Sequence, residues 1–111
     1  MARDPHEGEL NGTTEVILIR PPRPGSSRRT DLFVAIFNED TVDIDLEVYL
    51  ISGTLRHNIF DGTIAAGGRF RLPHNSGEGY VLDESYKSIR AVLGGAVTTN
   101  QPTWYANWRE S

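Results

Sequence analysis

The sequence predicts an all-β, single-domain protein: a two-sheet β-sandwich, jelly-roll-like, with about eight short strands. Apolar and polar residues alternate with a period of two, and no segment has a convincing helical period. Turn-forming residues separate the strands at spacings of roughly 8 to 12 residues. Because a sheet with one apolar face needs a second layer to cover it, we expect two packed sheets.

Length and composition allow one modest core. A chain of 111 residues should remove roughly two-thirds of its extended surface from water on folding. The apolar fraction of 38% and the charged fraction of 23% are ordinary for a globular protein. There is no cysteine, which excludes a disulfide scaffold and a thiolate metal site. We expect a polar N-terminal tail over residues 1–13 and the β-sandwich domain over residues 14–111.

The predicted strands follow from the alternation and from the turn residues between them. Residues 32–37 are apolar on both alternating faces, which predicts a central strand. Residues 43–50 are apolar only at even positions, which predicts a half-exposed strand. Turn formers at 38–41 and at 52–54 indicate a hairpin here. In chain order, the expected strands are residues 14–19, 32–37, 43–50, 55–64, 69–72, 80–82, 87–93 and 104–109.

Charge and hydropathy restrict the class of partner. A formal net charge of −4 argues against a nucleic-acid-binding surface, because phosphate neutralisation needs clustered Lys and Arg. No apolar run approaches the roughly 20 residues that cross a bilayer. Residues 1–7 are too polar for a signal peptide. We therefore expect that the protein is made in a cytoplasm and that it does not associate with a membrane.

No catalytic or metal-binding pattern is present in the sequence. The histidines lack the close spacing with which two imidazoles converge on one metal, and no Gly-x-Ser-x-Gly nucleophile motif occurs. Asp43, Asp45 and Glu47 share one strand face, which we interpret as a solvated face, with a calcium site as the alternative. We predict that the protein is not an enzyme, with no catalytic residue, no metal and no cofactor. The three histidines are His6, His57 and His74.

Four arginines in the Pro/Arg-rich loop 20–30 form the most strongly charged patch. Prolines fix φ and remove hydrogen-bond donors, so this loop should lie extended at a sheet edge. The patch is equally compatible with a solvated loop and with an arm that docks on an acidic partner or on packaged nucleic acid. It could also attract the acidic strand face of a neighbouring copy. The candidate partner-binding arginines are Arg20, Arg23, Arg28 and Arg29.

Aromatic residues are the second group of candidates. Trp104, Tyr105 and Trp108 could stack on sugar rings, but Trp104 and Trp108 share a face with Ala106 and could equally close the core. We favour the core for the two tryptophans. The tyrosines predicted as exposed partner-binding residues are Tyr49, Tyr80 and Tyr105.

Several strand and turn features occur in a recognisable order between Glu15 and Glu110. They are Pro21-Pro22-Arg23-Pro24-Gly25, Asn38-Glu39-Asp40-Thr41, Glu47-Val48-Tyr49-Leu50, Phe60-Asp61-Gly62-Thr63-Ile64-Ala65-Ala66-Gly67-Gly68, Val81-Leu82-Asp83 and Ser88-Ile89-Arg90-Ala91-Val92-Leu93-Gly94-Gly95-Ala96-Val97. In this order, the chain resembles small β-sandwich virion structural proteins of tailed bacteriophages, which serve as head decoration, neck or tail-associated subunits.

The resemblance implies a non-enzymatic virion protein that acts through repeated protein–protein contacts. Its partners would be other virion proteins and copies of itself, in a homo-oligomer within the particle, and it would be located in the virion after assembly in the host cytoplasm. The N-terminal tail and the arginine loop would become ordered on binding. A carbohydrate-binding β-sandwich module, which would use the aromatic residues, is the alternative.

Overall fold

The structure, a computed structural model, describes residues 6–22, 28–73 and 79–110. These residues form eight strands and no helix, which confirms the predicted all-β, two-sheet sandwich. The strands are β1 (Glu7–Glu9), β2 (Val16–Ile19), β3 (Arg29–Phe37), β4 (Ile44–Ser52), β5 (Leu55–Ile64), β6 (Arg69–Leu72), β7 (Lys87–Leu93) and β8 (Thr103–Glu110).

The eight strands divide equally between two antiparallel sheets. Sheet A has the order β1-β8-β3-β6, and sheet B has the order β2-β7-β4-β5. The hydrogen-bonded pairs β1 with β8, β2 with β7, β3 with β6 and β4 with β5 wrap around the sandwich in succession. This wrapping is the strand arrangement of a jelly roll.

Two segments differ from the prediction in whether they form a strand. The expected polar tail contains β1, which pairs with β8, and Leu10, which is 1% exposed and belongs to the core. The sandwich therefore begins before residue 14. The expected strand 80–82 contributes only one isolated bridge, between Leu82 and Arg29.

The two predicted turns have different roles. The turn at 38–41 connects β3 of sheet A with β4 of sheet B, so the strands on either side of it are not neighbours. The hairpin instead joins β4 and β5, whose register runs from Ser52 paired with Leu55 to Ile44 paired with Ile64. Gly53 adopts a φ of 65° in this tight turn, a conformation that glycine tolerates without steric cost.

The core lies between the inner faces of the two sheets, as the alternation predicts. Even-numbered residues of β4 point inwards, and β3, β6 and β8 contribute their own alternating positions. Trp104 is 5% exposed and Ala106 is fully buried, so the prediction that this face of the last strand closes the core is confirmed. Trp108 is partly buried and packs against the same core.

A buried carboxylate joins the turn after β3 to the loop that precedes β8. Asp40 accepts hydrogen bonds from the backbone N–H groups of Thr98, Thr99 and Asn100, at 2.8, 2.9 and 3.2 Å. These bonds, the Thr98 bond foremost, lower the pKa of Asp40 to about 2. The charged carboxylate of Asp40 accepts these hydrogen bonds better than the protonated form does. Asp40 therefore takes up a proton less readily in the folded state than in the unfolded chain.

We predict that Asp40→Asn removes a stability contribution that depends on pH. A lowered pKa contributes stability above the unfolded value of 3.8, and this contribution disappears as the pH falls to about 2. The wild-type protein should therefore be more stable than the variant at pH 6, and the difference should shrink between pH 4 and pH 2. Urea unfolding at pH 6, 4, 3 and 2 measures this, with Asp61→Asn as a control for the loss of an exposed carboxylate. A difference that stays constant over this range would contradict the assignment.

Candidate interaction surface

Each sheet has an outward face, and the two faces differ in how many of their side chains make hydrogen bonds or ion pairs within the chain. In sheet B, odd-numbered residues of β4 point outwards, opposite residues of β7 and β5. In sheet A, the outward residues come from β1, β8, β3 and β6.

The outer face of sheet B is closed by its own charged side chains. Arg90 donates to Glu15 at 2.6 Å, and the Tyr49 hydroxyl donates to the other oxygen of Glu15. The Arg56 guanidinium lies 3.7 Å from the centroid of the Tyr49 ring and also pairs with Glu47. Cation–π contact and ion pairing thus occupy the centre of this face within one chain, and Asp61, opposite Glu47, is an exposed carboxylate of the face.

This network changes the titration of its two acidic groups. Burial, followed by the hydrogen bond to Glu15, raises the pKa of Tyr49 to about 12. The Tyr49 and Arg90 hydrogen bonds lower the pKa of Glu15. Tyr49 is only 1% exposed, so our prediction of an exposed contact residue is wrong at this position. The long side chains of its neighbours cover the ring although its strand position points outwards.

The outer face of sheet A is organised as rows that cross all four strands. The register places a glutamate of β1, a residue of β8, a residue of β3 and an arginine of β6 side by side. The first row is Glu7, Tyr105, Ala35 and Arg71, and the second row is Glu9, Thr103, Phe37 and Arg69. We call these two rows, together with Phe33, the sheet A face.

The centre of the sheet A face is aromatic and open to solvent. Tyr105 is 45% exposed and makes an edge contact with Phe33, with the ring centroids 6.2 Å apart. Phe37 is half-buried on the same face. These rings and the two arginines line a shallow depression of about 360 Å³. A patch of exposed aromatic rings flanked by charges is typical of a protein contact surface.

The two edges of the sheet A face carry opposite charge. Arg69 and Arg71 are exposed on β6, and Glu7 and Glu9 are exposed on β1. Within the described part of the chain, none of these four side chains makes a hydrogen bond or an ion pair. They are separated by the width of the sheet, so their charges are not used to stabilise the monomer.

The four candidate arginines of the loop do not form one surface. Arg20 and Arg28 are exposed, Arg23 lies outside the described residues, and Arg29 is fully buried. Arg29 donates to Glu110 and to the Arg20 carbonyl, both at 3.0 Å. The prediction that Arg29 belongs to an exposed patch is therefore wrong. Buried ion pairing and a stacking contact with Trp108, at 4.6 Å from the ring centroid, hold its side chain inside.

The other candidates are also separated. Tyr105 lies at the centre of the sheet A face, whereas Tyr80 is half-buried and packs against the core. Sequence reasoning missed the remaining residues of that face, among them Phe33, Phe37 and Arg71. The second apolar face of residues 32–37 is the available signal, which we interpret in the sequence only as evidence of a central strand.

The acidic residues of segment 43–47 and the histidines do not come together at a metal site among the described residues. Asp45 accepts from the Thr63 hydroxyl at 2.9 Å, and Asp43 accepts from the Ala66 N–H at 3.2 Å. His6 stacks on Trp108 with the ring centroids 4.2 Å apart, and His74 lies outside the described residues. Among the residues the structure describes, no group of three or more His, Asp or Glu side chains is placed to hold a metal ion.

Comparisons with protein-family models, with curated proteins and with solved structures gave no match. In the described ranges, no helix has the length and apolar character needed to span a membrane. The assignment of function consequently depends on the geometry of the chain itself.

Proposed function

We propose that this chain is a non-enzymatic structural protein of a bacteriophage virion that acts through protein–protein contacts, with the sheet A face as its main contact surface. The observation that carries the contact role is the difference between the two outer faces. Sheet B pairs most of its outward charges within the chain, whereas sheet A leaves one exposed and two half-buried aromatic rings and four charged side chains without partners among the described residues. A bound partner would cover these rings and pair these charges, so we expect this face to be the contact surface.

The virion assignment has separate support. The order of strand and turn features resembles the small sandwich proteins of tailed bacteriophages, and jelly rolls are used in viral capsid domains. A rigid sandwich presents the same surface in every copy, which suits repeated contacts in a particle. The fold alone does not determine function, so the placement in a virion needs its own experiment.

Quantitative mass spectrometry of density-purified virus particles from the source of the chain tests this proposal. We expect a fixed ratio of the chain to the major shell subunit, near one for a decoration protein and well below one for a neck or tail subunit. The variant Tyr105→Glu, which places a charge at the centre of the sheet A face, should fold but be depleted from particles. Absence of the wild-type chain from particles would overturn the virion assignment. Normal incorporation of a folded Tyr105→Glu variant would overturn the role of the face.

Carbohydrate binding is the second candidate, and the exposed ring of Tyr105 beside Arg69 and Arg71 is the observation that favours it. Planar stacking on a sugar ring needs an exposed aromatic face. Trp104 points into the core, as we favoured from the sequence, so it does not offer a face to a sugar ring. Amide NMR signals of β3 and β8 that shift on addition of a defined oligosaccharide would support this candidate over a protein partner.

A further inference from the structure

We propose that the partner of the sheet A face is a second copy of this chain, related by a two-fold axis that runs parallel to the strands between β8 and β3. This inference rests on the proposed function, which assigns the face to protein contact. It names the partner and the geometry of the contact. The order of charged residues across the sheet and the sizes of the residues between them support this partner and this axis.

Charge order selects the axis. A two-fold rotation about an axis parallel to the strands exchanges the β1 edge with the β6 edge and keeps each residue in its own row. Glu7 then faces Arg71 of the other copy, and Glu9 faces Arg69, so one dimer contains four opposite-charge pairs. An in-plane axis perpendicular to the strands would instead place arginine against arginine. Like-charge contacts across an interface are strongly unfavourable, so only the first axis is compatible with the face.

Side-chain size agrees with the same axis. In the first row the rotation places Tyr105 over Ala35, and in the second row it places Phe37 over Thr103. In these two rows each ring therefore meets a smaller residue, which is the pattern that lets two sheet faces interdigitate, while Phe33 meets Asn107. Charge order and size order come from different residues, and both select one arrangement.

The dimensions of the face indicate a weak complex. Four strands at about 4.8 Å spacing and five residues of about 3.4 Å each give a face of about 19 by 17 Å. This corresponds to about 320 Å² on each copy and about 650 Å² in total, which is below the roughly 1,000 Å² of a stable specific interface and in the range of weak, transient contacts. We therefore expect a dimer that forms at high concentration in solution and that is favoured where copies are held close together, as in an assembled particle.

Charge exchange between the two edges tests the pairing in solution. We would measure sedimentation of the full chain from about 10 μM to about 1 mM, a range suited to a weak interface. Glu7→Arg with Glu9→Arg, and separately Arg69→Glu with Arg71→Glu, should each weaken dimerisation by about tenfold or more. All four substitutions together restore every pair in reversed sense and should return the dimer. Arg20→Glu with Arg28→Glu makes the same change in net charge as Arg69→Glu with Arg71→Glu, but outside the face, and should leave dimerisation unchanged.

Cysteine trapping tests the geometry independently, and the absence of native cysteine keeps the background clean. Residues 7 and 71 lie three strands apart in one chain, about 14 Å, which is too far for an intrachain disulfide. In the proposed dimer they face each other. Because stacked sheets lie about 10 Å apart, a thiol-reactive cross-linker that spans about 10 Å should join Glu7→Cys of one copy to Arg71→Cys of the other, and it is too short to bridge the two positions within one chain. Either single-cysteine variant should give no covalent dimer.

The outcomes separate this inference from the proposed function. A wild-type chain that remains monomeric at about 1 mM, a concentration that reveals weak interfaces, overturns the inference. So does a fourfold charge exchange that fails to restore the dimer while circular dichroism shows a folded variant. Loss of particle incorporation by Tyr105→Glu, combined with a strictly monomeric wild type, would leave the contact role of the face in place with a different partner.

Discussion

Replacement of Arg29 by alanine should lower the free energy of unfolding by about 3 kcal/mol, the sum expected for a cavity and for lost charge-assisted hydrogen bonds. The side chain is completely buried, so alanine leaves a cavity beside Trp108. The substitution also removes the donors to the Glu110 carboxylate and to the Arg20 carbonyl. Urea unfolding followed by tryptophan fluorescence measures the change.

Two matched variants separate the contribution of the guanidinium from that of positive charge. Arg29→Lys keeps the charge but lacks the planar fork that reaches two acceptors and stacks on a ring, so most of the loss should remain. Arg28→Ala removes the preceding, exposed arginine and should change stability by less than about 0.5 kcal/mol. Equal losses for Arg28→Ala and Arg29→Ala would contradict the structural role that we assign to Arg29.

Replacement of Leu46 by alanine should cost about 2–5 kcal/mol, the range for a buried leucine whose removal leaves a cavity. Leu46 is 1% exposed and lies on β4 between its partners Gly62 on β5 and Leu93 on β7. The Phe60 ring lies over Gly62, and because the surrounding structure relaxes only partly into such a cavity, we expect a value within this range. Chemical denaturation at pH 7 measures it.

The same β-hairpin contains a matched control for Leu46. Leu55 begins β5 and is 61% exposed, so Leu55→Ala removes the same atoms from a position that already contacts water. We expect a change within about 0.5 kcal/mol. If both leucine variants were destabilised to the same extent, the inward direction of the even-numbered β4 residues would be wrong.

The class of fold and the direction of most side chains could be predicted from local pattern. The even-numbered apolar residues of β4 face the core because a strand places successive side chains on opposite faces. The same rule explains why Trp104 and Ala106 are buried while Tyr105, between them, is exposed. Alternation is a property of neighbouring residues, so it is readable without knowledge of the tertiary structure.

Local pattern could not predict which individual charged and aromatic residues are buried and which are exposed. Arg28 and Arg29 are adjacent and chemically identical, but only Arg29 is buried. The carboxylate that pairs with Arg29 belongs to Glu110, which lies 81 residues further along the chain. Tyr49 points outwards as its strand position predicts, but Arg56 and Glu15 from other strands cover it. Burial at such positions depends on which distant segments become neighbours.

The sequence by itself determined that this protein is a two-sheet β-sandwich with one strand, β3, that is apolar on both faces. Only the tertiary structure decided that one of those faces remains open and that its neighbours carry opposite charges at the two edges. The row Glu7, Tyr105, Ala35 and Arg71 joins residues that are far apart in the chain. Strand order and register create that row, and both arise from pairing between distant segments, which no local pattern specifies.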